Sequence, residues 1–173
     1  MALIDKLNAI GDAIREKNGT TDLIPLADMP QAILDIVSGG SGGETAAAGT
    51  TADKPFTPAE ANAFIATLEA DKNTETDYYI KGKIIEITDK NQFNTQYGNC
   101  SFYISDDGTD KADKFYVFRT YYLGNVKYTD DSWEKPKAGD EVIICGKLVN
   151  YKGNTPETVA NKNYIYSLNG KTK

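Results

Sequence analysis

The chain contains no histidine, and none of its 6 Phe, 11 Tyr and 1 Trp lies before Phe56. Without histidine, nucleophilic pairs that need an imidazole base and metal sites that need an imidazole ligand are excluded. The absence of aromatic side chains before Phe56 excludes an aromatic core there, because these rings supply much of the packing area of a small domain. We therefore divide the chain into an aromatic-free head and a Tyr-rich C-terminal part.

Other missing features narrow the function further. No apolar run approaches the roughly 20 residues of a membrane span, and the N-terminus lacks the features of a signal peptide. The net charge is −6, without the basic surplus that phosphate-gripping domains usually carry. The acidic loop 106–110 lacks the ligand spacing of an EF-hand calcium site, and we predict that it is a solvated turn. We expect a non-enzyme with no catalytic residue, cofactor or metal, and no membrane partner.

Cysteine is scarce, with only Cys100 and Cys145 in the chain. Each lies inside an apolar strand pattern, where a free cysteine behaves as a small hydrophobic residue. We predict that both are buried reduced thiols, and a disulfide between them is the alternative.

The head, residues 1–38, has the pattern of a short helical hairpin. Its first helix carries an apolar stripe at steps of 4, 3 and 4, and a second helix is predicted over 29–37. Segments this short rarely fold alone. We expect self-association or docking on a larger assembly, and packing on the chain's own β domain is the alternative. The residues predicted to mediate these contacts are Leu3, Leu7, Ile10, Ile14, Ile33 and Ile36.

Residues 39–54, GGSGGETAAAGTTADK, have the composition of a flexible linker. The remaining residues, 55–173, begin with a capping box at Thr57 and Glu60, with Pro58 at the first helical position. A helix ending near Asp71 is predicted to precede five strands, at 78–87, 99–105, 115–122, 141–151 and 164–168. One helix followed by five strands with internal glycines predicts a mainly β fold, the five-stranded OB-fold barrel.

Several ordered motifs make the C-terminal part specific. They read YIKGKI at 79–84, YGNCSFYISDDG at 97–108, GDEV at 139–142 and GKLVNYKGNTPE at 146–157. Together they resemble the OB-fold modules common in gut Bacteroidetes proteins, over about residues 55–170. The resemblance implies the fold and a general binding role, since fold alone does not determine the ligand.

The head resembles a different group of proteins. Its segments IGDAIREKNG at 10–19 and LIPLADMPQAI at 23–33 are similar to a short helical segment that recurs in phage and prophage structural proteins. In those proteins the segment usually precedes a variable binding module. The resemblance implies a virion protein, made in the bacterial host cytoplasm, whose head anchors to the particle while the OB-fold reaches outward.

Aromatic residues along the third strand predict the binding surface. Positions 116, 118 and 122 share one parity and positions 119 and 121 the other, so one set faces away from the barrel interior. In OB-folds the face of the second and third strands and its flanking loops usually binds the ligand. Core packing is the alternative for each tyrosine. The candidate ligand-binding residues are Tyr116, Phe118, Arg119, Tyr121, Tyr122, Trp133, Tyr151 and Lys152.

Two functions remain open from the sequence, besides a spacer without a ligand. The favoured one is a phage virion structural protein of the fibre, tail or head-decoration type. Its partners would be other virion proteins, further copies of itself in a homo-oligomer such as a trimer, and a host-surface glycan or protein. The alternative is a single-stranded nucleic-acid-binding protein. The alternative rests on the barrel and on its cations, which are Lys81, Lys83, Arg119, Lys147 and Lys152.

Overall fold

The computed structural model describes residue 12, residues 46–88, residue 93 and residues 95–172. The stripe residues of the predicted helical head and residues 39–45 of the predicted linker lie outside these residues. The chain divides after Thr45, and the unit that begins at Ala46 contains all the strands described below. No helix among the described residues is long and apolar enough to cross a membrane.

Five strands close into a barrel in the order β1-β2-β3-β5-β4. Every pairing is antiparallel except the short parallel contact between β3 and β5. The prediction of a mainly β, five-stranded OB-fold with one helix before the strands is therefore confirmed. The strands are β1 (Tyr78–Ile87), β2 (Cys100–Ser105), β3 (Phe115–Thr120), β4 (Glu141–Tyr151) and β5 (Thr155–Leu168).

The helix α1 (Pro58–Ala66) begins with the predicted capping box. The Thr57 hydroxyl accepts a hydrogen bond from the Glu60 amide at 3.2 Å, and the Glu60 carboxylate accepts one from the Thr57 amide at 2.8 Å. The helix ends five residues before the predicted end at Asp71. The following segment instead pairs with β4, where the Asp71 amide donates to the Asn150 carbonyl.

The strands alternate inward and outward side chains, as half-buried strands do. The inward side chains fill the barrel without solvent exposure, and burying each contributes about 1.5–3 kcal/mol relative to an exposed position. Both cysteines are buried thiols, as predicted. Large residues of this core include Ile80, Ile84, Phe102, Ile104, Phe115, Ile144, Leu148 and Ile165.

The last part of the predicted linker belongs to the barrel unit. The Gly49 amide donates to the Lys54 carbonyl at 2.8 Å, and the Gly49 carbonyl accepts from the Tyr79 amide at 2.7 Å. Ala48 packs against the core. Residues 46–54 are therefore not the flexible linker that their composition predicts. Their side chains are mostly small or polar, but backbone hydrogen bonds to β1 hold the segment in place.

A β-bulge at Arg119 interrupts the alternation of β3. Two steps along β2, from Cys100 to Phe102, lie opposite three steps along β3, from Thr120 to Val117. Arg119 has a φ of +46°, and its amide donates to the Ser101 hydroxyl at 3.0 Å. The extra residue therefore reverses the alternation, so that a later position expected to face outward faces inward instead.

Strand β5 begins at Thr155, nine residues before the predicted start. Its first half is polar, yet Thr158 and Asn163 are fully buried or nearly so. The side-chain amide of Asn163 and the Thr158 hydroxyl both donate to the Phe118 carbonyl, at 3.0 and 3.2 Å. These side chains satisfy backbone groups beside the bulge, which explains why apolar alternation did not reveal this half of the strand.

Candidate ligand-binding face

Three aromatic rings stand in a row on the outward face of β2 and β3. The centroids of Tyr103 and Tyr116 lie 4.7 Å apart with an interplanar angle of 29°, and those of Tyr116 and Phe118 lie 5.7 Å apart at 30°. We call Tyr103, Tyr116 and Phe118 the aromatic row. All three side chains are partly exposed, so their outer surfaces are accessible to a ligand.

The pairing of β2 with β3 produces this row. Tyr103 lies directly opposite Tyr116, and the next paired positions, Phe102 and Val117, point into the core. Opposite residues of an antiparallel pair have Cβ atoms about 4.5–5.5 Å apart, which brings the two rings into contact. Phe118 follows Tyr116 by two residues on the same strand and therefore extends the row.

A cation lies at each end of the aromatic row. The Lys114 ammonium is 5.7 Å from the centroid of the Tyr103 ring, and the Arg119 guanidinium is 5.0 Å from that of the Phe118 ring. Helix α1 fixes the start of β3, since the side-chain amide of Asn62 donates to the Lys114 carbonyl at 2.9 Å. The bulge turns Arg119 outward. Both contacts are within the range of cation–π interactions.

Two carboxylates flank the tyrosines in the same cross-strand line. Glu86 of β1 pairs with Tyr103, and Glu157 of β5 pairs with Tyr116. Burial raises the pKa of the Tyr103 hydroxyl, and Tyr116 and the two carboxylates raise it further. Tyr103 therefore remains a neutral hydrogen-bonding group at physiological pH. The Tyr116 hydroxyl lies 3.4 Å from the Thr88 hydroxyl.

A polar cleft of about 480 Å³ adjoins the Tyr103 end of the row. Glu86, Thr109, Asp110 and Lys114 contribute its hydrogen-bonding groups. Clefts of this size accommodate small ligands or one end of a larger one. The face thus combines an aromatic strip with a polar recess at one end.

The sequence-predicted site residues fall into separate places. Tyr116, Phe118 and Arg119 lie together on this face. Tyr121 follows the bulge and pairs with Tyr164 of β5. Tyr151 is 44% exposed at the end of β4, with the Lys152 ammonium 5.0 Å from its ring centroid. In the described part of the chain, no ring contact joins Tyr151 to the aromatic row.

Tyr122 does not share the orientation of Tyr116 and Phe118, and the parity argument is wrong at this position. The bulge at Arg119 adds one residue, so Tyr122 turns inward and is only 8% exposed. Its hydroxyl donates to the Glu134 carbonyl at 2.7 Å.

Trp133 also lies away from the predicted groove. Its ring stacks on Tyr122 at 5.3 Å and meets Tyr128 edge-on at 5.6 Å. This cluster borders an apolar cleft of about 460 Å³, whose wall also includes Leu123 and Val126. The connector of Trp133 therefore folds onto the aromatic residues that follow the bulge and forms a second concavity.

Four residues of the face were missed by sequence reasoning. Tyr103 carried a signal, because it alternates with Phe102 and Ile104 on the strand that pairs with β3. Glu86 and Glu157 carried none, since only the strand register brings them beside the tyrosines. The fourth residue, Lys114, directly precedes β3 and depends on the position of α1.

A different outward row holds Cys145 between Tyr79 of β1 and Tyr164 of β5. A hydrogen bond between Tyr79 and Cys145 and, to a smaller extent, burial raise the pKa of the Tyr79 hydroxyl to about 12. Burial raises the pKa of the Cys145 thiol. A protonated, buried thiol is a poor nucleophile, so this row serves packing. Among the described residues, no group of three or more His, Cys, Asp or Glu side chains is placed to hold a metal ion.

Comparison of the chain with protein-family models gives no match, and comparison with curated proteins gives no significant match.

Proposed function

We propose that this protein is a phage virion structural protein whose N-terminal segment attaches or oligomerises and whose barrel binds a host-surface glycan through the aromatic row. The observation that carries the proposal is the stacking of Tyr103, Tyr116 and Phe118 outside the barrel. Rings placed there add little to the core, whereas a flat aromatic strip can stack on the apolar faces of sugar rings. The virion setting rests on the resemblance of the head.

The two carboxylates beside the row favour a sugar over a phosphate chain. Glu86 and Glu157 flank the two tyrosines, and carboxylates repel phosphates but accept hydrogen bonds from sugar hydroxyls. The net charge of −6 acts in the same direction.

The spacing of these carboxylates favours binding without cleavage. Glu86 and Glu157 stand three strand positions apart along the line Glu86, Tyr103, Tyr116, Glu157. Strands lie about 4.8 Å apart, which separates the two residues by roughly 14 Å. Glycoside hydrolases hold their carboxyl pairs about 5–9.5 Å apart. The separation between the strand positions of Glu86 and Glu157 exceeds this carboxyl spacing, which favours binding without cleavage.

A glycan panel tests the proposal on the full chain. We expect binding to at least one oligosaccharide and a loss of about tenfold or more in affinity for Tyr116→Ala, since truncation of a central aromatic contact costs about 2 kcal/mol. Tyr166→Ala is the matched control, because Tyr166 is a partly exposed ring in edge contact with Tyr79. Equal binding by wild type and Tyr116→Ala would refute the assignment of the face. Recovery of the protein in purified particles tests the virion setting.

Single-stranded nucleic acid is the second candidate. Lys114 and Arg119 beside the stacked rings favour it, because bases stack on aromatic side chains and basic groups contact phosphates. Two of the other candidate cations are already paired, Lys81 with Glu141 at 3.1 Å and Lys147 with Asp77 at 3.0 Å. Anisotropy of a labelled single-stranded oligonucleotide at low salt distinguishes the two. Tight binding that weakens steeply with salt would support this candidate.

A further inference from the structure

Glu157 is an outward-facing carboxylate that is nevertheless more than nine-tenths buried. It pairs with Tyr116 across the parallel contact and with Val149 of β4, and only 8% of the residue is exposed. Residues paired directly across two strands project on the same side of the sheet. The side chain therefore lies at the β5 side of the aromatic row.

This carboxylate has no hydrogen-bond or ion-pair partner within the described residues. Burial raises its pKa. A buried charge normally has such partners, because desolvation without them is costly. Burial of the Glu157 carboxylate without a partner therefore destabilises the isolated protein.

The Glu157 carboxylate remains reachable from the surface. Fully enclosed side-chain atoms without a partner, in the described part of the chain, are Asn150 Oδ1 and Asn163 Oδ1. The oxygens of Glu157 are not among them, so they retain an opening. A largely desolvated acceptor with an opening to the ligand face can bind a hydroxyl more strongly than an acceptor in water can.

The cations nearby do not compensate this charge. Lys114 lies beyond Tyr103, at the opposite end of the row, and Arg119 lies over Phe118. The second carboxylate, Glu86, adds negative charge at the polar cleft. An anionic sugar stacked on Tyr116 would face Glu157 without a neutralising partner, whereas an uncharged sugar would offer hydroxyl donors.

We propose that Glu157 accepts a hydrogen bond from a ligand hydroxyl and makes the aromatic row selective for uncharged, hydroxyl-rich oligosaccharides over acidic ones. The inference rests on the proposed function and names its ligand class. Tyr116 supplies the stacking surface. Glu157, at the edge of the aromatic row, disfavours acidic sugars by its negative charge.

The test uses the full chain with neutral hexasaccharides of glucose, galactose, mannose, xylose and N-acetylglucosamine, and with hexagalacturonate as the acidic probe. Wild type is expected to bind a neutral probe at least about tenfold more tightly than hexagalacturonate, a ratio typical of one charged hydrogen bond or one unfavourable charge contact. Glu157→Gln keeps the shape, removes the charge and should reduce that ratio by about tenfold. Glu69→Gln is the control, because its side chain is 79% exposed in the segment after α1.

The outcomes separate the two proposals. Binding of a neutral probe with a ratio that collapses in Glu157→Gln supports the inference. A ratio unchanged in Glu157→Gln, or tighter binding of hexagalacturonate by wild type, overturns the inference and leaves the glycan-binding function standing. Failure of every hexasaccharide to bind overturns both. Glu157→Ala, measured in parallel, should weaken the neutral probe, and normal neutral binding by it would also overturn the role of Glu157.

Discussion

The rings of Tyr103 and Tyr116 stack 4.7 Å apart on the outside of the barrel, at directly opposite positions of β2 and β3. Their backbone neighbours Phe102 and Val117 fill the interior. The same two strands therefore present one aromatic surface to the core and another to solvent. This arrangement separates the residues that hold the fold from those available for a ligand.

Truncation should show this division directly. Tyr116→Ala is expected to lower the free energy of unfolding by about 1 kcal/mol, because the outer ring pair contributes roughly 0.5–1.5 kcal/mol. Phe102→Ala should cost about 3–5 kcal/mol, since it leaves a cavity in the core. Urea unfolding followed by circular dichroism measures both. Equal losses would mean that the outer row is part of the structural core.

The bulge residue Arg119 predicts an unusual substitution pattern. Its φ of +46° lies in the left-handed region, where glycine is unstrained and β-branched residues are not. Arg119→Gly should change the free energy of unfolding by less than about 1 kcal/mol, whereas Arg119→Val should lower it by about 1–3 kcal/mol. Thermal and urea unfolding report the difference. A Val variant as stable as the Gly variant would show that the strand does not need this conformation.

A side chain at Gly146 is expected to destabilise the fold. A Cβ there would overlap the Cα and Cβ atoms of Asn163 and the carbonyl of Lys162 on the neighbouring strand. Gly146→Ala should lower the free energy of unfolding by about 1–3 kcal/mol, the usual cost of overpacking. Gly139→Ala gives a comparison, because a Cβ at Gly139 meets no atom within 4 Å and only its φ of +92° opposes the change. A milder effect at Gly146 than at Gly139 would contradict the close approach of β4 and β5.

Asp140 should make stability depend on pH in the acid range. Burial opposes ionisation of its carboxyl group, but hydrogen bonds from Asn169 and from the amide and ammonium of Lys137 outweigh burial and lower the pKa. A carboxyl whose pKa is lower in the folded state adds stability above its unfolded pKa of about 3.9, and this stability is lost as pH falls through the folded pKa.

The matching variant is Asp140→Asn. At neutral pH it should be less stable than wild type by about 1–2 kcal/mol, the worth of a charge-assisted hydrogen bond. The difference should begin to shrink below about pH 4, where the unfolded chain takes up a proton first, and should be lost as pH falls through the lower pKa of the folded protein. Urea unfolding at several pH values measures it. A constant difference across this range would exclude ionised Asp140 as the cause.

The apolar stripe of the head predicts oligomerisation of the full chain. Light scattering is expected to give a mass that is a multiple of the 18.9 kDa chain. Leu7→Asp should reduce this mass, because it places a charge within the stripe. Ala9→Asp adds the same charge off the stripe and should leave the mass unchanged. A monomeric wild-type chain at all concentrations would contradict self-association.

Much of the fold followed from local patterns. Strands β1 and β4 were predicted with their observed ends, because each carries a long run of β-forming residues bounded by turns. The capping box located the start of α1. The early end of α1 and the polar half of β5 were not predictable, since hydrogen bonds to β4 and to the bulge determine them.

The candidate site was predictable only in part. Tyr116 and Phe118 were expected on one face because they alternate with Phe115 and Val117, which the structure shows to be buried. Tyr122 was assigned to the same face because nothing in the sequence marks Arg119 as a bulge, a position often taken by glycine. The pairing of Glu157 with Tyr116 joins two strands that are far apart in the chain. Local sequence periodicity therefore could not predict it.

The most direct test maps the contact surface by NMR, with the full chain titrated by a neutral hexasaccharide that it binds. The account predicts that the resonances of Tyr103, Tyr116 and Phe118 shift with a common dissociation constant while the Trp133 indole resonance stays in place. Shifts concentrated at Trp133, Leu123 and Val126, with the aromatic row unchanged, would place the ligand in the apolar cleft and contradict the central claim.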